Sequence, residues 1–479
     1  MSGFSHNPFY DRRHLLKDVV WLVVFCLACK FTKGWAFAVM IPLTLVYLVQ
    51  GKSVPLFHLM MVGVFSMEIN SYFMPKGVFM VASQKIMLML AAGFLVLQTF
   101  GRQHSKVVTP VLWLIPYLVF MGISSQYGWA PIISNLKLFL FVMVFFALYG
   151  CAVKVMNDNS DIRTLRETVL SMACFIIVGS ILVIPFPSIS LMGAEAFESG
   201  RLTISLFKGM SWHAQTLGPM VAMLGTLVYA DLAFSIQTKE KLYYLLLLCC
   251  PILVYKTSSR TAMASLIAGL GFVTFFAMRS RMVNRSWRAK IVSNATMIVI
   301  VISASILAVP PLRERVMQYV LKYSHMDDSQ SITSEMIWKS REHKLNGAMA
   351  NWRASPVVGN GFQVTEEMKY IQINGIRDML SAPVEKSTWT YAILEEGGVI
   401  GLVLFCLFVV VALCSLISRG AYIGASLLFV FLVVNFGEFG FFSMSASGGT
   451  NWCLVFIGLS LDHKRLRSGW RPLPFFPWR

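Results

Sequence analysis

The chain has 479 residues, of which 56% are hydrophobic and 13% charged, and its formal net charge at pH 7 is +18. So high an apolar content excludes an ordinary water-soluble domain. A nucleic-acid-binding protein, which a basic chain can suggest, is disfavoured because the largest Lys and Arg clusters lie beside apolar runs, where such charges set membrane orientation.

Continuous apolar runs recur along the chain, separated by short polar connections. A transmembrane helix needs roughly 17 to 25 apolar residues, and continuous runs of this kind exclude the alternating pattern of a β-barrel. The runs begin near Val19, Gly34, Val54, Val78, Val107, Pro131, Glu167, Trp212, Lys241, Arg260, Ile291, Trp389, Tyr422 and Ser445. The sequence therefore predicts an all-α polytopic membrane protein with about 14 transmembrane helices, in the range of about 12 to 14.

The runs divide the chain into four parts. Residues 1–309 hold about 11 helices, 310–388 form one long connection, 389–462 hold about three more helices, and 463–479 form a basic tail. The long connection greatly exceeds the roughly 15 residues beyond which loops are usually functional or disordered. A large polar substrate has few other places to bind, so function is expected at this loop.

Basic clusters predict the orientation of the chain in the membrane. The Arg12-Arg13 pair, the loop 279–290 and the tail 463–479 fall on one side if about 14 spans alternate. That side is predicted to be cytoplasmic. Both termini are then cytoplasmic, and the long loop lies on the outer face.

The long loop is predicted to be a partly helical cap. Hydroxyl residues at 331–334 favour a helix start, and apolar residues at helical spacing continue to about Trp352. Ser355-Pro356 is expected to end this helix, and Gly359-Asn360-Gly361 to form a turn. A second short helix is expected after Thr365.

Several cations stand at the outer ends of helices, where topology gives no reason for them. Arg201 and Lys208 precede the span that starts near Trp212, and His213 lies at the start of that span. Arg260 follows a tight hairpin, in which Ser258 or Ser259 would cap the next helix and leave Arg260 in its first turn. The helix macrodipole disfavours a cation there and favours an anion. Two interpretations stay open: these cations bind an anionic ligand, or they extend to lipid headgroups.

Acidic and loop residues near the same face are the other candidates. Glu395 lies about two turns inside a span, where a carboxylate needs a polar cavity or a cationic partner such as Arg201, Arg260 or Arg341. Candidates for a general base are Glu385, Glu395 and His343, with Lys386 beside the first of them.

The sequence predicts neither a metal nor a cofactor. Asp327-Asp328 is an acidic pair of the kind usually found on a solvated surface. The nine cysteines lie in or beside apolar runs and not in the long loop, which argues against a disulfide framework and a zinc cluster.

Three stretches together resemble the bacterial O-antigen ligase and polymerase superfamily of membrane glycosyltransferases. They are residues 200–218, with Arg201 and Trp212-His213; Ser258-Ser259-Arg260-Thr261-Ala262; and the outer loop, with Arg341, Pro356–Gly361 and then Leu394–Gly401. Where ligases of this family carry a histidine before the span that follows the loop, this chain reads Val384-Glu385-Lys386-Ser387-Thr388-Trp389. The base therefore stays open among Glu385, His343 and an indirect role of Lys386.

The resemblance implies an inverting, metal-independent glycosyltransferase with a GT-C-like fold. It would transfer or polymerise glycan from an undecaprenyl-diphosphate-linked donor onto an acceptor hydroxyl at the periplasmic face of the bacterial inner membrane. Arg201 and Arg260 would bind the diphosphate, together with Arg341 from the loop. Lys208 and His213 lie close to them in sequence and are further candidates.

The implied partners are the lipid-linked donor, a glycan or lipid-linked acceptor, membrane lipid and other polysaccharide-export components. The alternative from another functional class is a flippase or transporter of lipid-linked oligosaccharide or polysaccharide. A transporter would favour ionisable residues near the middle of the membrane and repeated halves.

Overall fold

The computed structural model describes residues 12–75, 77–99, 106–157, 162–192, 206–234, 241–279, 345–364, 388–437, 440–443 and 447–467. Within these ranges every regular element is helical, and β-pairing is confined to two isolated bridges, Ile69 with Ser211 and Leu191 with Phe207. The predicted all-α class is confirmed for this part of the chain.

The helices follow the apolar runs of the sequence. They are α1 Arg12–Phe31, α2 Met40–Val49, α3 Ser53–Ser66, α4 Val78–Thr99, α5 Ile115–Tyr127, α6 Pro131–Asn157, α7 Ile162–Ala173, α8 Gly179–Leu182, α9 Pro187–Ser190, α10 Ala214–Phe234, α11 Lys241–Lys256, α12 Arg260–Arg279, α13 345–354, α14 Trp389–Ser418, α15 Tyr422–Val434 and α16 Ser447–Arg467. The 3₁₀ turns Trp35–Val39 and Thr109–Leu114 lead into α2 and α5, and the π-turn Cys174–Val178 joins α7 to α8.

Six helical segments of the described chain are long and apolar enough to cross a membrane. They are Thr109–Tyr127, Pro131–Asn157, Arg163–Leu182, Ala214–Phe234, Arg260–Arg279 and Trp389–Ser418. Shorter apolar helices include Trp35–Val49, Val54–Ser66, Phe79–Leu95 and Tyr422–Val434. The count of about 14 spans stays a prediction. The run near Ile291 and most of the loop 310–388 lie outside the described residues.

Helix α10 is the central element of the bundle. Of its apolar stretch 94% is buried, and it packs against α11, α12, α15 and α16. Small residues permit this close packing: a Cβ on Gly269 of α12 would overlap Thr226 of α10 and Val430 of α15. Without water between helices in a bilayer, such close van der Waals contact is a main source of association.

The antiparallel helices define two ends of the bundle. At what we call the site end, α10, α12 and α14 begin and α15 stops; the Trp389 N–H donates to the Asn435 carbonyl at 2.9 Å. At the opposite end, α10 stops and α7 begins. There the Arg166 Nε lies 3.0 Å from Oδ2 of Asp231. A candidate site can therefore be assembled at either end from residues far apart in sequence.

Candidate functional site

Four of the nine predicted site residues lie in the described chain: Lys208, His213, Arg260 and Glu395. The remaining five lie outside the described residues: Arg201, Arg341, His343, Glu385 and Lys386. The described chain therefore contains only the part of the predicted site that adjoins the starts of α10, α12 and α14.

His213 is the N-cap of α10. Its Nδ1 accepts a hydrogen bond from the Gln215 N–H at 3.0 Å, and its carbonyl accepts from the Leu217 N–H at 3.1 Å. A neutral imidazole that accepts at Nδ1 carries its proton on Nε2, by inference from this bond. The side chain is half-buried, and its Nδ1 caps the first turn of α10.

Arg260 is the first residue of α12, as predicted. Helix α11 stops at Lys256, and the Ser259 Oγ accepts a hydrogen bond from the Ala262 N–H at 3.3 Å, which identifies Ser259 as the N-cap. Ser258 turns the chain with a left-handed φ of 54°. The half-buried Arg260 thus lies at the positive end of a helix dipole, where an anion would be favoured.

The two motifs meet in space. A Cβ on Gly218, in the second turn of α10, would come within 2.9 Å of the Thr257 Oγ1 and 3.0 Å of the Ser259 Cβ. The N-terminal turns of α10 and α12 therefore lie side by side. Two adjacent helix N-termini direct two sets of N–H groups and two dipoles toward the same end of the bundle, an arrangement suited to an anion.

Lys208 belongs to a non-helical segment, residues 206–213, which leads into α10. Its backbone N–H donates to the Ser190 carbonyl at 2.8 Å, and partial burial lowers the pKa of its ammonium group. The segment is anchored by Asn70, whose Nδ2 donates to the carbonyls of Ile189 and Gly209, both at 2.8 Å. Asn70 is fully buried, so this segment has a defined position beside the start of α10.

The beginning of α14 reaches the same end. A Cβ on Gly437, just after α15, would overlap Thr261 in the first turn of α12. Because Trp389 bonds to Asn435, the start of α14 lies against this same corner. Glu385 and Lys386 precede Trp389 by only three or four positions in the sequence. The start of α14, which directly follows Glu385 and Lys386 in the chain, thus lies close to Arg260.

Glu395 and Glu396 lie where α14 is broken. They are 3% and 0% exposed, and Gly398, two residues on, has φ 60° and ψ −161°. That conformation is open essentially only to glycine and interrupts the helix. In the sequence, the pair Gly397-Gly398 inside an apolar span is the signal for this break, which was not predicted.

The residues 356–361 fill the break and form what we call the clasp. The N–H groups of Asn360 and Gly361 donate to the carbonyls of Glu395 and Glu396 at 2.9 and 3.0 Å. In return, the Val399 N–H donates to the Pro356 carbonyl at 2.9 Å. Irregular backbone at membrane depth is tolerated where protein satisfies its polar groups, and the clasp does so.

Side chains of α5 and α6 bond to the backbone beside the clasp, at Glu396 of α14 and at Gln363, which follows the clasp. The Ser124 Oγ donates to the Glu396 carbonyl at 2.9 Å, and the buried Lys137 Nζ donates to the Gln363 carbonyl at 3.0 Å. The helix α13 ends at residue 354, before Ser355-Pro356, as predicted. The two loop-related motifs, Pro356–Gly361 and Leu394–Gly401, are therefore direct neighbours.

A polar cluster at the opposite end was not predicted from the sequence. The Arg166 guanidinium binds the Asp231 carboxylate through two nitrogens, and the Tyr243 hydroxyl donates to Asp231 at 2.8 Å. Asp462 and Arg465 of α16 form a second pair at 2.7 Å. Arg465 entered the sequence prediction as part of the basic tail 463–479, and no role was predicted for Asp231 and Asp462, which lie within apolar helices.

Neither end offers a metal-ligand set within the described ranges, where no three His, Cys, Asp or Glu side chains converge. No protein-family model matches the chain, and no curated protein matches it.

Proposed function

We propose that the protein transfers or polymerises glycan from an undecaprenyl-diphosphate-linked donor onto an acceptor hydroxyl, without a metal ion and with inversion. The observation that carries the proposal is the pairing of the α10 and α12 N-termini, with Arg260 at one and His213 at the other. Such a site suits a diphosphate at the membrane surface, because helix N-termini and arginine both favour phosphate oxygens.

In the proposed reaction the bond between the anomeric carbon and the diphosphate oxygen breaks, and the acceptor oxygen forms a new bond to that carbon. The acceptor proton passes to a base, and the leaving diphosphate keeps the electron pair. Arg260 stabilises the charge that develops on the diphosphate. Arg201 and Arg341 are proposed to complete the anion site, with Lys208 beside it, and Glu385 or His343 to accept the proton.

The proposed setting is the bacterial inner membrane, with the site end at the periplasmic face and both termini in the cytoplasm. The donor's polyprenyl chain would lie in the bilayer, and its diphosphate at the level of Arg260. Acceptors would be a glycan or a lipid-linked glycan. Whether the protein acts as a polymerase or as a ligase depends on which of these it takes.

The broken helix α14 favours a transporter as the second candidate, because transporters bind ions and substrates at unwound helices. In this protein, however, the carbonyls of Glu395 and Glu396 and the N–H of Val399 bond to the clasp or to Ser124. Backbone groups used in this way are not offered to a transported ligand. This observation supports the transferase over the flippase.

The test is transfer by purified protein in proteoliposomes that contain a lipid-linked donor. Arg260→Ala should lower the rate roughly 100-fold, the loss typical of removing one preorganised donor to a developing anion. Arg260→Lys should restore only part of the rate, because a lysine cannot bind phosphate through two nitrogens.

Lys241→Ala is the matched control, since Lys241 is likewise the first residue of a helix but lies at the opposite end. It should transfer glycan at the wild-type rate. Undiminished transfer by Arg260→Ala would contradict the proposal. Movement of labelled donor across the bilayer, without any transferred product, would establish the flippase instead.

A further inference from the structure

Asn360 joins three separate parts of the molecule. Its Nδ2 donates to the Asn351 carbonyl of α13 at 2.8 Å and to the Glu395 carbonyl of α14 at 3.3 Å. Its backbone N–H also donates to Glu395, and its carbonyl accepts from the Trp129 N–H at 3.1 Å, in the turn between α5 and α6. At 4% exposure, Asn360 is a buried connector and not a surface turn residue.

There is no space at this junction for a different register. A Cβ on Gly128 would overlap the Asn360 carbonyl, and a Cβ on Gly359 would overlap the Glu396 backbone. Gly359 has a φ of 80°, which favours glycine. A shift of the clasp by one residue would bring a side chain into one of these contacts and separate the hydrogen-bonded pairs.

Glu395 takes part in the same junction through its side chain. The Asn351 Nδ2 donates to its Oε1 at 3.0 Å, so Asn351, Asn360 and Glu395 form a closed set of contacts. Glu395 as a whole is 3% exposed, whereas a general base must come within hydrogen-bond reach of the acceptor hydroxyl. The position of the Glu395 carboxylate therefore suits a residue that holds α13 in place better than one that accepts a proton from the substrate.

We propose that Asn360 is a positioning residue, which fixes the register of α13 and the clasp against the broken helix α14. In this proposal the Glu395 side chain holds α13 in that register through Asn351 and does not act as the general base. The catalytic consequence rests on the proposed function. Arg341 and His343 directly precede α13 in the sequence, and Glu385 and Lys386 precede α14. The junction thereby sets where the two halves of the loop leave the membrane domain.

The first experiment tests whether Glu395 holds α13 in place or acts as the general base. Glu395→Gln keeps an oxygen that accepts from Asn351 and removes the titratable proton, whereas Glu395→Ala removes both. The proposal predicts transfer by Glu395→Gln within about threefold of wild type and with an unchanged pH–rate profile, and a fall of roughly tenfold or more in kcat for Glu395→Ala. Equal loss in both variants, or the disappearance of one limb of the pH profile in Glu395→Gln, would overturn it.

The second experiment measures the register without glycan chemistry. Hydrogen exchange of peptides that cover residues 356–364 and 396–402 should accelerate together in Asn360→Ala. In Asn360→Asp the acceleration should be larger, because a carboxylate would face two carbonyl oxygens. Asn157→Ala, at an exposed asparagine of the opposite end, is the control and should leave both peptides unchanged.

The two experiments fail in distinguishable ways. If exchange in Asn360→Ala equals that of the wild type, the register proposal is wrong, whatever the activity. If exchange accelerates as expected but the wild-type protein transfers no glycan, the register proposal stands and the glycosyltransferase assignment falls.

Discussion

The two ends of α10 handle charge in different ways. At the opposite end, Asp231 is held by Arg166 and Tyr243, and Asp462 is paired with Arg465. At the site end, Arg260 and His213 stand at helix N-termini beside connections that are held by backbone hydrogen bonds. Mutually paired charges stabilise a fold, whereas a cation at a helix N-terminus adds to a local positive potential that an anion can use. The described ion pairs thus lock helices together at the opposite end, and the helix N-termini at the site end support the proposal that an anionic ligand binds there.

The largest expected effect tests whether the site end depends on the broken helix. In Gly398→Ala the new Cβ would overlap the Val357 backbone, and the φ of 60° is unfavourable for alanine. We expect a loss of at least about 4 kcal/mol in the free energy of unfolding, because backbone strain and overlap add. Thermal unfolding in detergent measures it. Gly93→Ala, inside α4 and with no neighbouring segment within 4 Å of its new Cβ, should keep or slightly raise the wild-type midpoint, and an equal loss there would contradict the explanation.

The next effect tests the lock at the opposite end. Asp231→Ala leaves the Arg166 guanidinium without this carboxylate in a buried place, where such a loss costs about 3 kcal/mol. The double variant Arg166→Met with Asp231→Ala should recover part of that stability, as measured by thermal unfolding. Transfer per folded molecule should stay at the wild-type level in both variants. A loss of transfer greater than the loss of folded protein would erase the distinction between the two ends.

A smaller effect is expected where residues 206–213 are anchored. Asn70→Ala removes the donors to the Ile189 and Gly209 carbonyls and should cost about 2 kcal/mol, the range for leaving buried polar groups unsatisfied. Since the segment carries Lys208 and His213, KM for the lipid-linked donor should also rise. Parallel measurement of KM in Asp231→Ala gives the comparison: a similar rise there would show a general effect of instability.

The smallest effect concerns the helix that presents Arg260. Ser259→Ala removes the N-cap of α12 and should destabilise the protein by about 1 kcal/mol. Ser259→Asp keeps a capping acceptor, so it should keep most of the stability. Its added negative charge beside the proposed diphosphate site should nevertheless weaken donor binding. Retained donor affinity in Ser259→Asp would argue against an anion site at this helix end.

The sequence predicted local features well where one segment decides them. The start of α12 at Arg260, the cap by a serine of the hairpin and the end of α13 before Ser355-Pro356 follow from residue chemistry within a few positions. That α10 and α12 begin side by side could not be predicted from the sequence, because the contacting residues Gly218 and Ser259 are distant in the chain. Glu395 could be placed inside a span, and a cationic partner was expected for it. Asn351, which donates to its carboxylate, was not predicted because it belongs to another segment.

By itself the sequence determined the helical class, the approximate positions of the long described helices and the placement of cations at helix ends. Apolar run length and the cost of unsatisfied backbone groups in lipid decide these locally. Only the tertiary structure decided that the clasp fills the break in α14, that Asn360 joins three elements and that Asp231 belongs to a polar lock. Each of these depends on hydrogen bonds between residues far apart in the chain, whose geometry no local pattern contains.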